Sequence, residues 1–240
     1  ENALRAGITF NPSGGGKIFF SFSRGFRLPT TDELFAFDGT IVELKPERAE
    51  TFEAGVVKPF SDRLTLRITL YTMDVENELF FNPSTFANEN LDKTLHRGAE
   101  FGFTSVITDR VTLNGNWTYT RATFESGPFD GNTMPLVPEN TANLNADIKL
   151  PASLLLTLNG RWAGKRFMDS DADNSSKKLD GYTAMDAKLS YAYKMLTAYI
   201  GVNNAFDSQY SEYGVEGFGG TKNFYPAPER WYYAGVRMAI

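Results

Sequence analysis

Apolar and polar residues alternate with period two along most of the chain, the pattern of strands whose two faces meet different surroundings. Val111, Leu113, Gly115, Trp117 and Tyr119 form one face of a segment whose other face is Thr112, Asn114, Asn116, Thr118 and Thr120. Leu154, Leu156, Leu158, Gly160 and Trp162 stand against Leu155, Thr157, Asn159 and Arg161. Leu64, Leu66, Ile68 and Leu70 oppose Thr65, Arg67 and Thr69, and Met185, Ala187, Leu189, Tyr191 and Tyr193 oppose Asp186, Lys188 and Ser190. No segment longer than about ten residues carries a helical period, so the chain reads as all-β. The alternation predicts eleven strands, near 3–10, 17–26, 47–58, 63–75, 94–107, 111–125, 139–150, 153–167, 181–193, 196–204 and 230–240.

Several of these segments far exceed the roughly five or six residues of an ordinary strand. Tilted strands of about 9–11 residues are what the hydrocarbon of a bilayer requires. The connections alternate as well. Tight turns fall at Asn11–Gly16, Pro59–Asp62, Thr108–Arg110, Leu150–Ala152 and Lys194–Met195, and long polar loops at 27–46, 76–93, 126–138, 168–180 and 205–229. Short turns on one rim and long loops on the other are how outer-membrane barrels are built. Trp117, Tyr119 and Trp162 sit on the apolar face near long loops, and Tyr191 and Tyr193 near a tight turn, as two interfacial girdles would. The polar faces carry Thr, Asn, Arg, Lys and Asp, which a wide, wet lumen accommodates and a dry core does not. The competing reading is a soluble sandwich or lipocalin-like barrel with its aromatics in the core.

Eleven strands put the two ends of the chain on opposite rims, whereas single-chain bacterial barrels use even numbers, and an unclosed sheet leaves edges that lipid cannot satisfy. Residues 1–240 are therefore expected to be the C-terminal part of a larger barrel, unless a twelfth strand hides in 205–229.

Composition adds exclusions. The chain has 240 residues, a net charge of −5, one His and no Cys. Disulfide frameworks, thiolate zinc sites and thiol nucleophiles are ruled out, and the acidic balance gives no broad basic surface for nucleic acid. No apolar run is long enough for a membrane-spanning helix, which leaves a β-barrel untouched. The start, Glu1-Asn2-Ala3-Leu4-Arg5, has no basic-then-apolar leader, as expected of a processed chain or a piece of a longer one.

Ser23-Arg-Gly-Phe-Arg, Leu44-Lys-Pro-Glu47, Arg97-Gly-Ala-Glu-Phe101, Val137-Pro-Glu-Asn140, Leu179-Asp-Gly-Tyr-Thr183 and Val202-Asn-Asn-Ala-Phe206 open six short segments that, in this order, resemble TonB-dependent outer-membrane receptors. Ser23-Arg-Gly-Phe-Arg-Leu-Pro-Thr-Thr-Asp-Glu-Leu-Phe35 is similar to that family's S-x-G-F-R-x-P-x-x-x-E-L-[FY] segment, and Leu44-Lys-Pro-Glu-Arg-Ala-Glu-Thr-Phe-Glu-Ala-Gly55 to its L-K-P-E strand start. Arg97-Gly-Ala-Glu-Phe101, Val137-Pro-Glu-Asn-Thr-Ala-Asn143, Leu179-Asp-Gly-Tyr-Thr183 and Val202-Asn-Asn-Ala-Phe-Asp-Ser-Gln-Tyr210 continue the series, with Asp180 where the family has Pro and Ala205 where it has Leu. The last strand, Tyr232 to Ile240, is similar to the terminal strand read by barrel-insertion machinery, though Ile240 replaces the usual aromatic. The resemblance implies a barrel of about 22 strands around an N-terminal plug. It also implies location in a Gram-negative outer membrane in contact with its lipid, energy coupling by TonB, and import of a scarce nutrient, most often a ferric siderophore. Neither a plug nor a TonB-contacting box is found in this sequence.

Catalytic signals are nearly absent, and no cofactor is expected. The lone His96 lacks a partner His or Cys, and Gly14-Gly-Gly-Lys17 lacks the Ser/Thr and the spacing of a phosphate loop, so it reads as a hairpin turn. Asp169, Asp171 and Asp173, with Asp180 at position 12, have calcium-loop spacing, but Asn174 replaces the turn Gly and Asp the bidentate Glu, so solvated loop acidity is the simpler reading. Ligand contacts are expected on the long-loop rim: Arg27, Phe35, Phe37 and Asp38, then Phe80, Phe81 and Phe86, then Tyr210, Tyr213, Phe218, Phe224 and Tyr225. Arg and Tyr suit anionic, catechol-like or hydroxamate chelates through paired hydrogen bonds and stacking. Haem-transporting relatives would place a His between the first two motifs, and none occurs from Arg27 to Pro46. Arg67, Arg161, Lys188 and Arg237 on the polar face are expected to line an anion path or to pair with plug carboxylates. The alternatives are a passive porin-like channel and a soluble all-β binding domain.

Overall fold

A computed structural model describes residues 1–82, 85–169, 171–217 and 220–239. Phe218 and Ile240 lie outside the described residues. Among the described residues thirteen strands follow in order: β1 (Leu4–Phe10), β2 (Lys17–Arg27), β3 (Glu47–Ser61), β4 (Leu64–Asn82), β5 (Ala87–Thr108), β6 (Val111–Phe124), β7 (Asn140–Leu150), β8 (Leu154–Ala163), β9 (Tyr182–Tyr193), β10 (Leu196–Asn203), β11 (Ser211–Glu216), β12 (Lys222–Pro226) and β13 (Trp231–Met238). Eleven form one antiparallel meander, β1 through β10 and then β13, while β11 and β12 make a separate hairpin above it. Each of the eleven expected strands is found. The segment 205–229 adds two strands to the rim and none to the wall. In the described sheet β1 and β13 each pair on one side only, so the arc is not closed.

Cross-strand register sorts the side chains into two unlike faces. One row runs Ile8, Phe20, Ala54, Leu70, Ala99, Tyr119, and another Val111, Ile148, Leu156, Leu189, Ile200, Ala234. These apolar side chains are half-buried or exposed, with Ile200 61% accessible and Leu70 58%. A water-soluble chain would hide such rows, because a contiguous apolar surface of this extent is costly in water. This face is the lipid face. Phe101, Trp117, Ala142 and Trp162 are successive cross-strand partners, which places the expected aromatics in one band, and Tyr191 and Tyr193 flank the β9–β10 turn. The opposite face holds Arg67, Glu100, Asn116, Asn143, Arg161, Asp186 and Lys188. Arg161 pairs with Asp186, whereas Arg67, Lys188 and Arg237 make no ion pair among the described residues.

The largest departure from the expected pattern is at 76–93, which is not a loop. β4 and β5 carry on through it, paired as far as Asn82 and Ala87. Asn77 has φ 55°, a left-handed conformation that resets the alternation. Glu78, rather than residue 77, then shares the polar face, bonding Thr94 and lying 3.5 Å from His96. Period two fails across that step although the ladder does not, and the sequence reads as a loop. Smaller corrections concern ends: β8 stops at Ala163, after which, among the described residues, only the Gly164 N–H still reaches β7, at Asn140 O, and β3 runs on to Ser61. At Gly14-Gly-Gly-Lys17 the chain turns as a hairpin, with Gly15 and Gly16 at positive φ and Lys58 Nζ donating to Gly14 O at 2.8 Å.

Glycine and tyrosine interlock at the last wall strands. Gly201 faces Tyr233 and Gly235 faces Tyr199, and any Cβ at either glycine would collide with the ring opposite. Each ring covers the backbone that a glycine exposes, which fixes the β10–β13 register.

The face assignment yields a test. Ile200→Lys places a charge against the hydrocarbon and is expected to cost about 2–4 kcal/mol if the site lies near the bilayer midplane. Ser190→Lys, on the opposite face one strand away, is expected to stay within about 0.5 kcal/mol of the parent. Urea-dependent folding into lipid vesicles, followed by tryptophan fluorescence, measures both.

Candidate ligand-binding rim

The long-loop rim is built in two lobes. In the first, residues 28–46 fold onto the β4–β5 tip. Glu33 organises the turn, accepting from the Thr30 N–H at 2.7 Å and from Arg27 Nη1 at 2.9 Å. Those donors hold its carboxyl below the usual carboxylate range. Arg27 also lies 3.6 Å from Glu47, so its charge is spent within the loop base. Asp38 accepts the Thr40 N–H at 2.9 Å in an Asx turn. Asn90 clamps the loop to β5 by accepting from Lys45 N at 2.7 Å and donating to Lys45 O at 3.0 Å. Four of the aromatics expected here, Phe35, Phe37, Phe81 and Phe86, are exposed, with Phe37 92% accessible and its ring 6.3 Å from that of Phe86. Phe80 points elsewhere, into an apolar cluster around Ala122, Phe124, Met134 and Ala172.

That cluster joins the two lobes, because Ala122 and Phe124 end β6 while Met134 and Ala172 come from the next two loops. Asn174 reinforces it, accepting the Thr133 N–H at 2.7 Å and donating to Thr133 O at 2.8 Å. The acidic loop is built for this turn. Asp171 is buried and accepts the Ser175 N–H at 2.9 Å, and burial raises its carboxyl above the usual range. Asp173 accepts from Ser175 Oγ, Asp169 accepts from the Tyr213 hydroxyl, and Asp180 pairs with Lys165 at 3.0 Å. Among the described residues no three carboxylates or imidazoles converge on one point.

The second lobe holds a stack the sequence did not reveal. Arg166 is 4% accessible and lies 5.7 Å over the Tyr182 ring. Tyr182 stacks on Tyr210 at 4.1 Å and 16°, and Arg161 Nη2 donates to the Tyr210 hydroxyl at 2.9 Å. Arg166 donates to Ser211 O at 3.0 Å and to Glu212 O at 2.7 Å, tying the β11–β12 hairpin to the wall. Burial lowers the basicity of this guanidinium, which has no carboxylate in ion-pair contact among the described residues. Tyr213 meets Tyr225 edge-on at 5.0 Å, and burial together with Asp169 pushes its phenol well above the ordinary value. Phe224 and Tyr225 are exposed.

Below the second lobe, on the polar face, lies a recess of about 300 Å³ lined by Asn114, Asn116, Asn143, Asn145, Asn159 and Arg161 with Asp186. Asn145 Nδ2 donates to Asn159 Oδ1 there at 2.7 Å, and Arg161 Nη1 donates to Asp186 Oδ2 at 3.0 Å. Asparagine is disfavoured in strands, and five in neighbouring rows is the signal that would have found this wall from sequence had the strands been put in register. The arrangement supplies exposed aromatic rings above, guanidinium and phenol groups at the rim, and neutral amides beneath.

Comparison with known proteins fits this geometry. The family model described as TonB dependent receptor-like, beta-barrel matches residues 3–205. The chain is 26% identical over 227 residues to a probable TonB-dependent siderophore receptor, PiuA, of Acinetobacter baumannii, covering 86% of this chain and 30% of that protein. It is 28% identical over 217 residues to the ferrioxamine receptor of Yersinia enterocolitica, covering 82% of this chain and 30% of the relative. The solved structure of the copper transporter OprC superposes with a TM-score of 0.78 at 18% identity, over 98% of this chain and 39% of that one, a likeness of fold. The chain thus spans about a third of the length of the relatives it matches.

Arg166→Ala removes the ties to Ser211 and Glu212 and is expected to free the β11–β12 hairpin. Limited proteolysis should cut within 211–226 at least tenfold faster, with the wall strands still protected. Arg166→Lys is expected to rescue only in part, since an ammonium cannot reproduce the fork or the stacking on Tyr182.

With its lipid-facing apolar rows, its polar inner face and a family match over most of its length, this chain belongs to the TonB-dependent receptor-like β-barrel family of the Gram-negative outer membrane.

Proposed function

We propose that residues 1–240 are the C-terminal part of the barrel of an active outer-membrane receptor that binds and imports a ferric siderophore. The energy would come from TonB through a plug carried by the rest of the protein. The carrying observation is the second lobe, where Tyr182, Tyr210, Arg161 and Arg166 gather phenol and guanidinium groups above the amide recess. Such groups recognise the carbonyl, hydroxamate and phenolate oxygens of an iron chelate by stacking and charge-assisted hydrogen bonds. The exposed rings of the first lobe offer a second apolar contact to the same bulky ligand. The names of the siderophore and ferrioxamine receptors among the relatives support the same cargo class. This activity is binding and transport, with no covalent step.

The test uses the full-length protein. Titration with ferrioxamine B and with ferric enterobactin, read by quenching of intrinsic fluorescence, is expected to show saturable submicromolar binding of at least one. Tyr210→Ala is expected to weaken it about tenfold, the loss of one stacked ring and one charge-assisted hydrogen bond. Uptake of radioactive iron should stop when TonB is deleted. Steady ion conductance in planar bilayers without TonB, and no siderophore binding, would identify a passive channel instead.

A further inference from the structure

On the lipid face of β2 to β6 the apolar band ends in a belt of charges, and among the described residues all but two of its cations are paired. Arg24 lies 3.0 Å from Glu50, Arg48 lies 2.7 Å from Glu1, and Lys93 lies 2.8 Å from Asp74. Arg97 on β5 and Arg121 on β6 are the exceptions. They are direct cross-strand partners, both are exposed, and neither makes an ion pair or hydrogen bond among the described residues. Their orientation follows from their neighbours. Tyr71, Gly98 and Thr120 face inward, with the Tyr71 hydroxyl 2.8 Å from Thr120 Oγ1, so the alternating positions Arg97 and Arg121 face outward.

Like charges placed directly opposite each other on a sheet repel. Nothing in the described structure offsets this pair: Asp74, the carboxylate diagonal to Arg97, is committed to Lys93. Immediately below stand Ala99 with Tyr119 and Phe101 with Trp117, the aromatic level at which a bilayer passes from hydrocarbon to headgroup. Two forked guanidiniums at that level match a tetrahedral phosphate, which each can bind in bidentate fashion.

The geometry points to Arg97 and Arg121 as a binding site for the phosphate of an outer-leaflet lipid headgroup, with the lipid's acyl chains lying along Leu70, Phe101 and Trp117. The site faces away from the lumen and is separate from the import path. The bound phosphate neutralises the pair and pins the receptor's height at the aromatic level.

The experiment uses the full-length receptor in detergent, with lipid retention counted by native mass spectrometry. The probes are bisphosphorylated lipid A, the same lipid dephosphorylated, and inorganic phosphate; the variants are R97Q/R121Q and, as a control on the same belt, R24Q. The wild type is expected to retain the bisphosphorylated lipid at least tenfold better than the dephosphorylated one. R97Q/R121Q should lose that preference, R24Q should keep most of it, and siderophore binding should be unchanged in both variants. Because the double variant removes a repulsion, its unfolding temperature in lipid-free detergent should match or exceed the wild type. Three outcomes overturn the site: equal retention of both lipids, a preference that survives in R97Q/R121Q, or inorganic phosphate binding as tightly as the lipid, which would mark a free-anion site. If the double variant does not fold, the single variants R97Q and R121Q are each expected to lose part of the preference, and an unchanged preference in both overturns the site.

Discussion

Everything in this molecule depends on satisfying backbone hydrogen bonds where no water reaches. In hydrocarbon an unpaired N–H or C=O costs several kcal/mol, so the chain must run as an unbroken ladder. It does so by the shortest route, each wall strand pairing with the next in sequence until β10 passes over the β11–β12 hairpin to β13. The antiparallel meander lets tight turns close one rim. It also frees the other rim for loops whose lengths are not constrained by the ladder.

That freedom is where recognition is built. The rim is ordered by the same kinds of contact that order a soluble domain: a small apolar cluster around Phe124 and Met134, asparagines that pair with backbone as a strand would, and a buried guanidinium on a tyrosine stack. Arg27, Glu33 and Glu47 satisfy one another at the base of the first lobe, which presents its exposed aromatic rings above them. The second lobe presents phenol and guanidinium groups, and the wall below presents amides. The amide recess thus lies below a rim of phenol and guanidinium groups, on an inner face that also carries Arg67, Glu100 and Lys188.

The two faces of the sheet also divide the polar chemistry. Inward-facing polar groups are solvated by the lumen and can be left without protein partners at little cost. Outward-facing charges sit at the boundary of a low-dielectric phase, where an unpartnered charge is far more expensive. The pairing of Arg24, Arg48 and Lys93 on that boundary, and the lack of it at Arg97 and Arg121, is therefore more informative than the unpaired Arg67 or Lys188 inside.

The sequence alone determined the all-β class, the eleven wall strands, which residues face lipid and the turn at Gly14–Lys17. All of these rest on period two and on turn chemistry, which are local. The motif series from Ser23 to Tyr210 determined the family for the same reason, since each motif is contiguous. Only the tertiary structure decided that 76–93 is strand, because one left-handed residue at Asn77 shifts the phase of the alternation without breaking the ladder. It also decided which rim residues are available: Phe80 is drawn into the loop cluster and Arg27 into an ion pair, whereas Tyr182 stacks on Tyr210, distant in sequence, with Arg166 over the Tyr182 ring. The amide recess and the facing arginines likewise exist only once strands are in register. Pairing between strands is a long-range property that no single segment encodes.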